Sequence, residues 1–348
     1  MKCLVAAPFI PIASKLHSHR AAQGVIYADQ LAHAGKDVAV NMPGEHYHAD
    51  FNQFDELYVY HGNDWGGSVN LFGGLKAFPY TYNFINFTKF KGRVHSLVID
   101  FPDYAGMLEE RVKTSIETGK EVDPLWKEAD WDNLRRMHAE ADVVVPNDLK
   151  KHDKISIGDS HAICMYRPGW SNISIPFRTL YGALKLGLHT FVPAGKYKQV
   201  EFYFGNIDIR HHLCRQADPS EAARDLARDY VKQAREVADK YKAEVKLYEA
   251  LPIENESRSI PKTGWYKNTP FYGSWSDRVR VRAAFVDELS KSGALYRWTD
   301  SLMNEAGELD FKYMEKPQSV HLSRQYYPHW QGLEWNNIKK NNSLEAFL

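Results

Sequence analysis

A serine, an aspartate and a histidine stand together at the end of residues 155–161, whose sequence is Ile-Ser-Ile-Gly-Asp-Ser-His. The alternation of apolar and polar residues before them predicts a short strand. Glycine permits a sharp turn at the strand end, so we expect Ser160 at the carboxyl end of a strand, where open α/β sheets carry their sites. Such a serine acts as a nucleophile only when a neighbouring base takes its proton. The alternative is a serine that caps a helix or fills a turn.

A second cluster of polar residues follows another predicted strand, at residues 200–204. Its sequence, Gly205-Asn-Ile-Asp-Ile-Arg-His-His, places an arginine and two histidines just past the strand end. These side chains can fix a carboxylate, a phosphate or a sugar. Alternatively, Arg210 pairs with Asp208 or Asp159 and supports the turn.

Two His-x-His pairs, His17/His19 and His46/His48, are the candidates for metal ligands. On a strand, such a pair points both rings to one side and can bind zinc or iron. Neither pair has a clear third ligand beside it, so we predict no metal site. We also predict no cofactor, because neither a Gly-x-Gly-x-x-Gly nor a Walker loop follows the first predicted strand. The glycine-rich residues 63–74 either let the backbone approach a ligand or form a plain turn.

The elements that must position these residues follow a strand–helix–strand order. In the N-terminal half, apolar runs predict strands at residues 2–7, 37–41, 56–60, 93–100 and 141–145, and helical spacing predicts helices at 19–34, 106–118 and 131–140. In the C-terminal half, further strands are predicted at residues 200–204 and 244–250, and helices at 219–242 and 276–291. We therefore predict an α/β fold with two three-layer α/β domains and mainly parallel sheets.

The chain of 348 residues is long for one hydrophobic core and fits two domains. The apolar pattern breaks near residues 146–153, which predicts a Rossmann-like N-terminal domain over residues 1–148. A second domain then spans residues 149–330, and a polar tail spans residues 331–348.

Charge and cysteine content restrict the class of protein. Lys+Arg and Asp+Glu both number 44, so the net charge of zero argues against a broad basic surface for nucleic acid but leaves a local patch open. The three scattered cysteines, Cys3, Cys164 and Cys214, are too few for a disulfide framework, so we expect reduced thiols. No apolar run approaches the roughly 20 residues that span a bilayer, and the first residues favour a strand over a signal peptide. We therefore expect a cytoplasmic protein without a membrane partner.

The C-terminal half resembles the SGNH (GDSL-like) hydrolase superfamily over about residues 153–325. Four segments match the sequence blocks of that superfamily in order: Gly158-Asp159-Ser160-His161, the glycine of Leu-Tyr-Gly182-Ala, Phe204-Gly-Asn-Ile-Asp-Ile-Arg-His-His, and Val320-His321-Leu322. The resemblance implies an SGNH- or flavodoxin-like domain whose chemistry is acyl transfer. It also implies that Ser160 is the nucleophile and His321 the general base, since a serine hydroxyl needs an imidazole to take its proton.

The resemblance assigns the remaining site residues as well. The amides of Ser160 and Gly182 would hold the oxyanion, each worth about 3 kcal/mol of barrier reduction when well aimed. A group of polar residues is assigned to substrate binding: Asp159, His161, Asp208, Arg210 and His212.

Two positions depart from the pattern of the superfamily. Gln318 replaces the aspartate that normally stands three residues before the base. Its side-chain carbonyl can orient His321 as a member of the catalytic set, but it brings no negative charge. A backbone carbonyl, Glu315 or Asp310 can substitute, which keeps a Ser–His dyad possible. Ile207 stands where the oxyanion asparagine is usual, with Asn206 beside it as the replacement donor.

The first half, over about residues 1–105, resembles the N-terminal half-domain of phage DNA glucosyltransferases of the GT-B type. The likeness rests on the order of a strand at residues 56–60, Asn70-Leu-Phe-Gly-Gly, Phe90-Lys-Gly-Arg-Val and a strand ending at Asp100. It implies that this domain holds a nucleotide, a sugar or a modified base.

These resemblances lead to one leading function and two alternatives. The leading one is a serine esterase or acyltransferase of the SGNH type, acting on an acylated sugar or sugar-like substrate that can be nucleotide- or DNA-linked. The first alternative is a glycosyl or group transferase of the phage DNA-modification type, with a nucleotide-linked donor in the cleft between the domains. The second is a non-catalytic ligand-binding protein with a degenerate site. The sequence predicts no oligomeric state.

Overall fold

Two compact units, one up to Lys150 and one from Lys151 to Leu333, make up most of the chain. The structure is a computed structural model, and it describes residues 1–6, 19–41, 51–59, 85–97, 104–119, 124–144, 152–175, 178–255, 272–315 and 320–329. The predicted glycine-rich loop at 63–74 and the predicted tail at 331–348 lie outside these ranges.

In the N-terminal unit, five parallel strands form one sheet in the order β2-β1-β3-β4-β5. The strands are β1 (Lys2–Ala6), β2 (Asp37–Asn41), β3 (Glu56–Val59), β4 (Arg93–Ser96) and β5 (Asp142–Val143). The helices are α1 (His19–His33), α2 (Tyr104–Glu117) and α3 (Trp131–Glu140), with short 3-10 helices at Phe51–Gln53 and Pro124–Glu128. The predicted elements of this half are confirmed, although β5 has only two residues where five were predicted.

In the C-terminal unit, five strands form a second parallel sheet in the order β10-β9-β8-β6-β7. The strands are β6 (Lys154–Gly158), β7 (Ser171–Ser174), β8 (Gln199–Tyr203), β9 (Glu244–Tyr248) and β10 (Leu295–Tyr296). The helices are α4 (Leu180–Leu186), α5 (Asn206–His211), α6 (Pro219–Tyr241) and α7 (Trp275–Ser290). Helices cover both sides of each sheet, so the predicted α/β fold with two parallel sheets is confirmed.

The strand order of the second sheet places the two polar motifs side by side. From the edge strand β7, the order runs β7-β6-β8-β9-β10, which is the flavodoxin-like 2-1-3-4-5 arrangement. The chain changes direction across the sheet between β6 and β8, and open α/β sheets bind their ligands outside the carboxyl ends of the strands at this switch point. Ser160 follows β6 and Asn206 follows β8, so the motifs meet at that crevice.

The strands of this sheet are held by a buried apolar core. Ile155 and Ile157 of β6 lie next to Val200 and Phe202 of β8, and all four are almost fully buried. The longest helix, α6, packs on this core through its apolar stripe at residues 226, 230, 234 and 237. Asp218 caps that helix by accepting from the amides of its first turn. Among the helices that the structure describes, none is both long and apolar enough to cross a membrane.

Gly158 is needed for the close approach of β6 and β8. Its backbone is not in the left-handed region, so the turn that we predicted from this glycine does not explain it. A Cβ atom at this position would instead lie 2.0 Å from the carbonyl oxygen of Tyr203. The contact is with backbone, so a side chain here must push the two central strands apart.

We therefore expect Gly158→Ala to destabilise the C-terminal unit by about 3 kcal/mol or more, the upper range for an overpacked core site. Urea unfolding followed by circular dichroism measures the effect. Gly106→Ala serves as the control, because a Cβ at Gly106 meets no atom within 4 Å. Equal unfolding midpoints for Gly158→Ala and the wild type would contradict this account of the motif.

Candidate active site

Ser160 lies directly beyond the end of β6, at the start of a 3-10 helix, Ser160–Met165. Asp159 stands between the strand and this helix, and its backbone N–H donates to the Tyr203 carbonyl of β8 at 3.1 Å. The predicted strand, turn and helix are therefore present, with a 3-10 helix after the turn. Ser160 is half-buried, so its hydroxyl is held firmly but is not sealed from solvent.

His321 is the partner of the Ser160 hydroxyl. Its Nε2 lies 2.9 Å from the Ser160 Oγ, although the two residues are 161 positions apart in the chain. When Nε2 is unprotonated, the hydroxyl donates to it, which is the arrangement that activates a serine nucleophile. The His321 side chain is 19% exposed, so the imidazole is largely shielded from water.

A short pair of antiparallel segments carries His321. Met314 forms a β-bridge with Leu322, the backbone N–H of Glu315 donates to the His321 carbonyl at 3.0 Å, and the N–H of Ser323 donates to Tyr313 at 2.8 Å. This pairing brings Glu315 next to the imidazole. A carboxylate oxygen of Glu315, Oε1, lies 3.8 Å from His321 Nδ1.

Glu315 is therefore the carboxylate that faces the base. Its side chain is 7% exposed, and 3.8 Å is ion-pair range but longer than a hydrogen bond. Asp310, the other carboxylate considered from the sequence, instead caps a 3-10 helix by accepting from the Lys312 amide at 3.0 Å. The predicted orienting residue Gln318 lies outside the described residues.

Asp159 and His161 form a buried pair beneath the serine. The Asp159 carboxylate is fully buried, and its Oδ1 faces the His161 backbone N–H at 2.8 Å and the ring Nδ1 at 2.9 Å. The other ring nitrogen of His161, Nε2, lies 3.2 Å from the Val320 carbonyl oxygen. The His161 ring stacks on the His321 ring with 4.7 Å between centroids. The contacts of these two side chains among the described residues are with the protein, and their predicted substrate-binding role stays a prediction.

One of the three predicted oxyanion donors is occupied by a protein acceptor. The Gly182 N–H donates to the Thr179 hydroxyl at 3.0 Å, as part of the cap of α4. Asn206 is fully buried, and its Oδ1 accepts from the Leu251 N–H at 3.0 Å, which ties the end of β8 to the end of β9. Its donor atom, Nδ2, has no hydrogen-bond partner among the described residues. The Ser160 amide likewise has no acceptor among the described residues.

Asp208, another residue predicted to bind substrate, caps α4. Its carboxylate accepts from the Leu180 and Tyr181 amides at 2.6 Å and 3.1 Å. Burial raises the pKa of this carboxyl from its usual 3.8 to about 6, and the two amide bonds only partly offset the burial. The nearby negative charge of Asp159 raises the pKa further.

The raised pKa of Asp208 predicts a pH-dependent stability. The unfolded chain loses this proton near pH 3.8 and the folded chain near pH 6. The protonated Asp208 therefore contributes its full share to the free energy of unfolding below pH 3.8, and this contribution is lost as the pH rises through 6. Asp208→Asn cannot ionise, so its free energy of unfolding relative to wild type should rise by about 2 kcal/mol between pH 4 and pH 7. Urea unfolding across this range measures the difference. A difference that stays constant with pH would contradict the prediction.

Arg210 supports the segment that follows β8 through contacts with residues 252 and 254. It is 2% exposed, and its guanidinium donates to the Glu254 carboxylate at 2.8 Å and to the Pro252 carbonyl at 2.8 Å. The buttressing alternative therefore fits the structure, with Glu254 as the partner instead of Asp208 or Asp159. His212 ends α5 by donating its backbone N–H to the Asp208 carbonyl. Burial lowers the pKa of its ring, and the positive charge of the nearby Arg215 lowers it further.

A small apolar pocket of about 10 Å³, roughly the space of one water molecule, lies beside the two imidazoles. Its walls include Ile163, Leu251, Leu322 and Tyr327. Apolar walls lower the local dielectric, and this strengthens the electrostatic interactions of His321.

Metal-binding residues are not grouped in the described part of the chain, where no cluster of three or more His, Cys, Asp and Glu side chains could hold an ion. The rings of the pairs His17/His19 and His46/His48 lie outside the residues whose side chains are described. Cys3, Cys164 and Cys214 are buried and free of disulfides, as expected from their number.

Comparison with known proteins gives only a distant likeness. No family model and no curated protein matches the chain. A solved structure from Streptococcus pneumonia, provisionally named platelet activating factor, is similar with a TM-score of 0.39 and 18% identity, over 55% of this chain and 85% of that chain. A likeness this weak identifies no family, so the geometry of the site must support any function.

Proposed function

We propose that the C-terminal unit is a serine esterase or acyltransferase of the SGNH type. The observation that carries the proposal is the 2.9 Å contact between Ser160 Oγ and His321 Nε2. These residues come from opposite ends of the unit and meet at the switch point of its sheet, where ligands of open α/β sheets bind. A merely structural serine needs no imidazole from so distant a segment.

The reaction begins when Ser160 Oγ attacks the carbonyl carbon of an acyl ester. His321 Nε2 takes the hydroxyl proton as the bond forms, and the Ser160 amide N–H donates to the oxyanion. The same imidazole then returns the proton to the departing alcohol, which leaves an acyl group on Ser160. Water, for hydrolysis, or a second alcohol, for acyl transfer, then attacks the acyl group while His321 takes its proton. His321 returns that proton to Ser160 Oγ as the bond between Oγ and the acyl carbon breaks.

Glu315 supplies the negative charge that Gln318 lacks. Each time His321 takes a proton it becomes an imidazolium, and the Glu315 carboxylate 3.8 Å from Nδ1 stabilises that positive charge. Because the two residues belong to the same antiparallel pair, the backbone bond from Glu315 to His321 fixes their separation. The site is thus a Ser–His pair with an electrostatic third member.

For the substrate we propose an acyl ester of a sugar or sugar-like alcohol, the class that the sequence resemblance implies. The crevice at the ends of β6 and β8 is the place where it would bind. No contact among the described residues favours the alternative transferase with a nucleotide-linked donor, so we do not propose it.

Hydrolysis of p-nitrophenyl acetate and of acetylated monosaccharides tests the proposal. The wild-type protein should release acetate, and both Ser160→Ala and His321→Ala should reduce the rate to background. Ser290→Ala and His189→Ala are matched controls, because both side chains are on the surface and take no part in the site. Undiminished hydrolysis by Ser160→Ala would contradict the proposal.

A further inference from the structure

We propose that His161 is a positioning residue that holds the base-bearing segment of the site against the nucleophile. The inference rests on the proposed function, because it concerns the placement of His321. The contacts that carry it are the 3.2 Å approach of His161 Nε2 to the Val320 carbonyl and the stacking of the two imidazole rings.

An acceptor oxygen of the protein faces each ring nitrogen of His161. Nδ1 faces a carboxylate oxygen of Asp159 and Nε2 faces the carbonyl oxygen of Val320. A carbonyl oxygen only accepts, so Nε2 must carry a proton for this contact to be a hydrogen bond. We infer this tautomer, in which Nε2–H donates to the residue immediately before His321.

Asp159 holds His161 in this orientation. The carboxylate is fully buried, and its second oxygen, Oδ2, has no hydrogen-bond partner among the described residues. His161 therefore provides both contacts to this carboxylate, from its backbone N–H and from Nδ1. A buried carboxylate is costly unless it is paired, so the ring is strongly held on this side.

Two contacts therefore connect residues 159–161, which include the nucleophile, with residues 320–321, which include the base. One is the reactive contact from Ser160 to His321, and the other runs from Asp159 through His161 to Val320. The carbonyl of Val320 is held by His161 and the carbonyl of His321 by the Glu315 amide, so the backbone of the base is fixed on both sides. The stacked rings, inclined by 28°, restrict rotation of the catalytic imidazole.

Three substitutions of His161 distinguish a positioning role of its polar contacts from a role of its ring in packing alone. In His161→Gln, the side-chain amide places an N–H near the position of Nε2, where it can still donate to Val320. His161→Asn reaches only the position of Nδ1, and His161→Phe keeps an aromatic ring but loses both polar contacts. A misplacement of about 1 Å in a catalytic group costs about 10²-fold in rate, so we expect His161→Asn and His161→Phe to react about 10²-fold more slowly than wild type. We expect His161→Gln to stay within about tenfold of it.

The readout is the rate constant for labelling of Ser160 by a fluorophosphonate, with the thermal midpoint measured on each sample. A normal midpoint with slow labelling in His161→Asn and recovery in His161→Gln supports the positioning role. Equal rates for wild type, Asn and Phe variants, or equal losses in Asn and Gln variants, would overturn it.

Nitrogen NMR of histidine-labelled wild-type protein keeps the inference independent of activity. The His161 signals are assigned by their absence from His161→Gln. We expect a protonated Nε2 at neutral pH, with a proton that exchanges slowly with water. An unprotonated Nε2 would overturn the inference even if Ser160 reacts. A protonated Nε2 in a protein whose serine does not react would leave the contact standing and refute the proposed function instead.

Discussion

Ser160→Ala, His321→Ala and the double variant should lose ester hydrolysis to the same extent, about 10⁴- to 10⁶-fold in kcat. The equality follows from the shared step: without the imidazole the hydroxyl is not activated, and without the hydroxyl the imidazole has no proton to take. The contact of 2.9 Å between the two side chains is the basis for this expectation. Steady-state kinetics on one acetyl ester measures all three variants.

Ser290→Ala and His189→Ala should keep wild-type kcat, which shows that the loss is specific to the pair. Losses in the two single variants that multiply in the double variant would mean that Ser160 and His321 act independently. That result would contradict a mechanism in which one proton passes between them.

The second large effect is expected for Glu315→Gln, with kcat lowered by about 10²- to 10⁴-fold and KM little changed. The variant keeps the size of the side chain and the backbone pairing with His321, but removes the negative charge 3.8 Å from Nδ1. The imidazolium formed in the transition state then loses the counter-charge that Glu315 provides. Steady-state kinetics with the same ester separates kcat from KM.

Asp310→Asn is the matched control for this experiment, because Asp310 is a nearby carboxylate in the chain whose role is to cap a 3-10 helix. It should leave kcat unchanged. Equal kcat values for Glu315→Gln and Asp310→Asn would show that His321 works without a carboxylate partner, as a dyad.

The architecture around the site could be predicted from local pattern. Alternating or continuous apolar runs located β6 and β8, and the capped amphipathic helix α6 ends within one residue of the prediction. The sheet order follows from parallel strands joined by helices, which leave few topologies open. The meeting of Ser160 and His321 could not be derived from pattern alone; it came from the resemblance of the short blocks around them.

The sequence could not predict the direction in which the polar side chains after the strand end point. Asp208, Arg210 and Asn206 follow a strand end, and from the sequence they could face either a ligand or the protein. In the structure they face inward, where Asp208 caps a helix and Arg210 pairs with Glu254. These bonds join residues 28 to 45 positions apart, and no local pattern specifies such partners.

The roles of Gly158 and Glu315 also could not be predicted from the sequence alone. The glycine was expected for its turn, but the reason for it is the carbonyl of a strand that arrives 45 residues later in the chain, at Tyr203. Glu315 was one of several candidate partners for the base, and only the antiparallel pairing with His321 selects it. In both cases the deciding neighbour is close in space and distant in sequence.

The most direct test of the central claim is covalent labelling by a fluorophosphonate probe, followed by peptide mass spectrometry. The account predicts that the native protein is labelled on Ser160, and that labelling disappears in Ser160→Ala and His321→Ala while Ser290→Ala is labelled normally. A well-folded protein that the probe does not label, or a label that persists in His321→Ala, would contradict the claim that His321 activates Ser160.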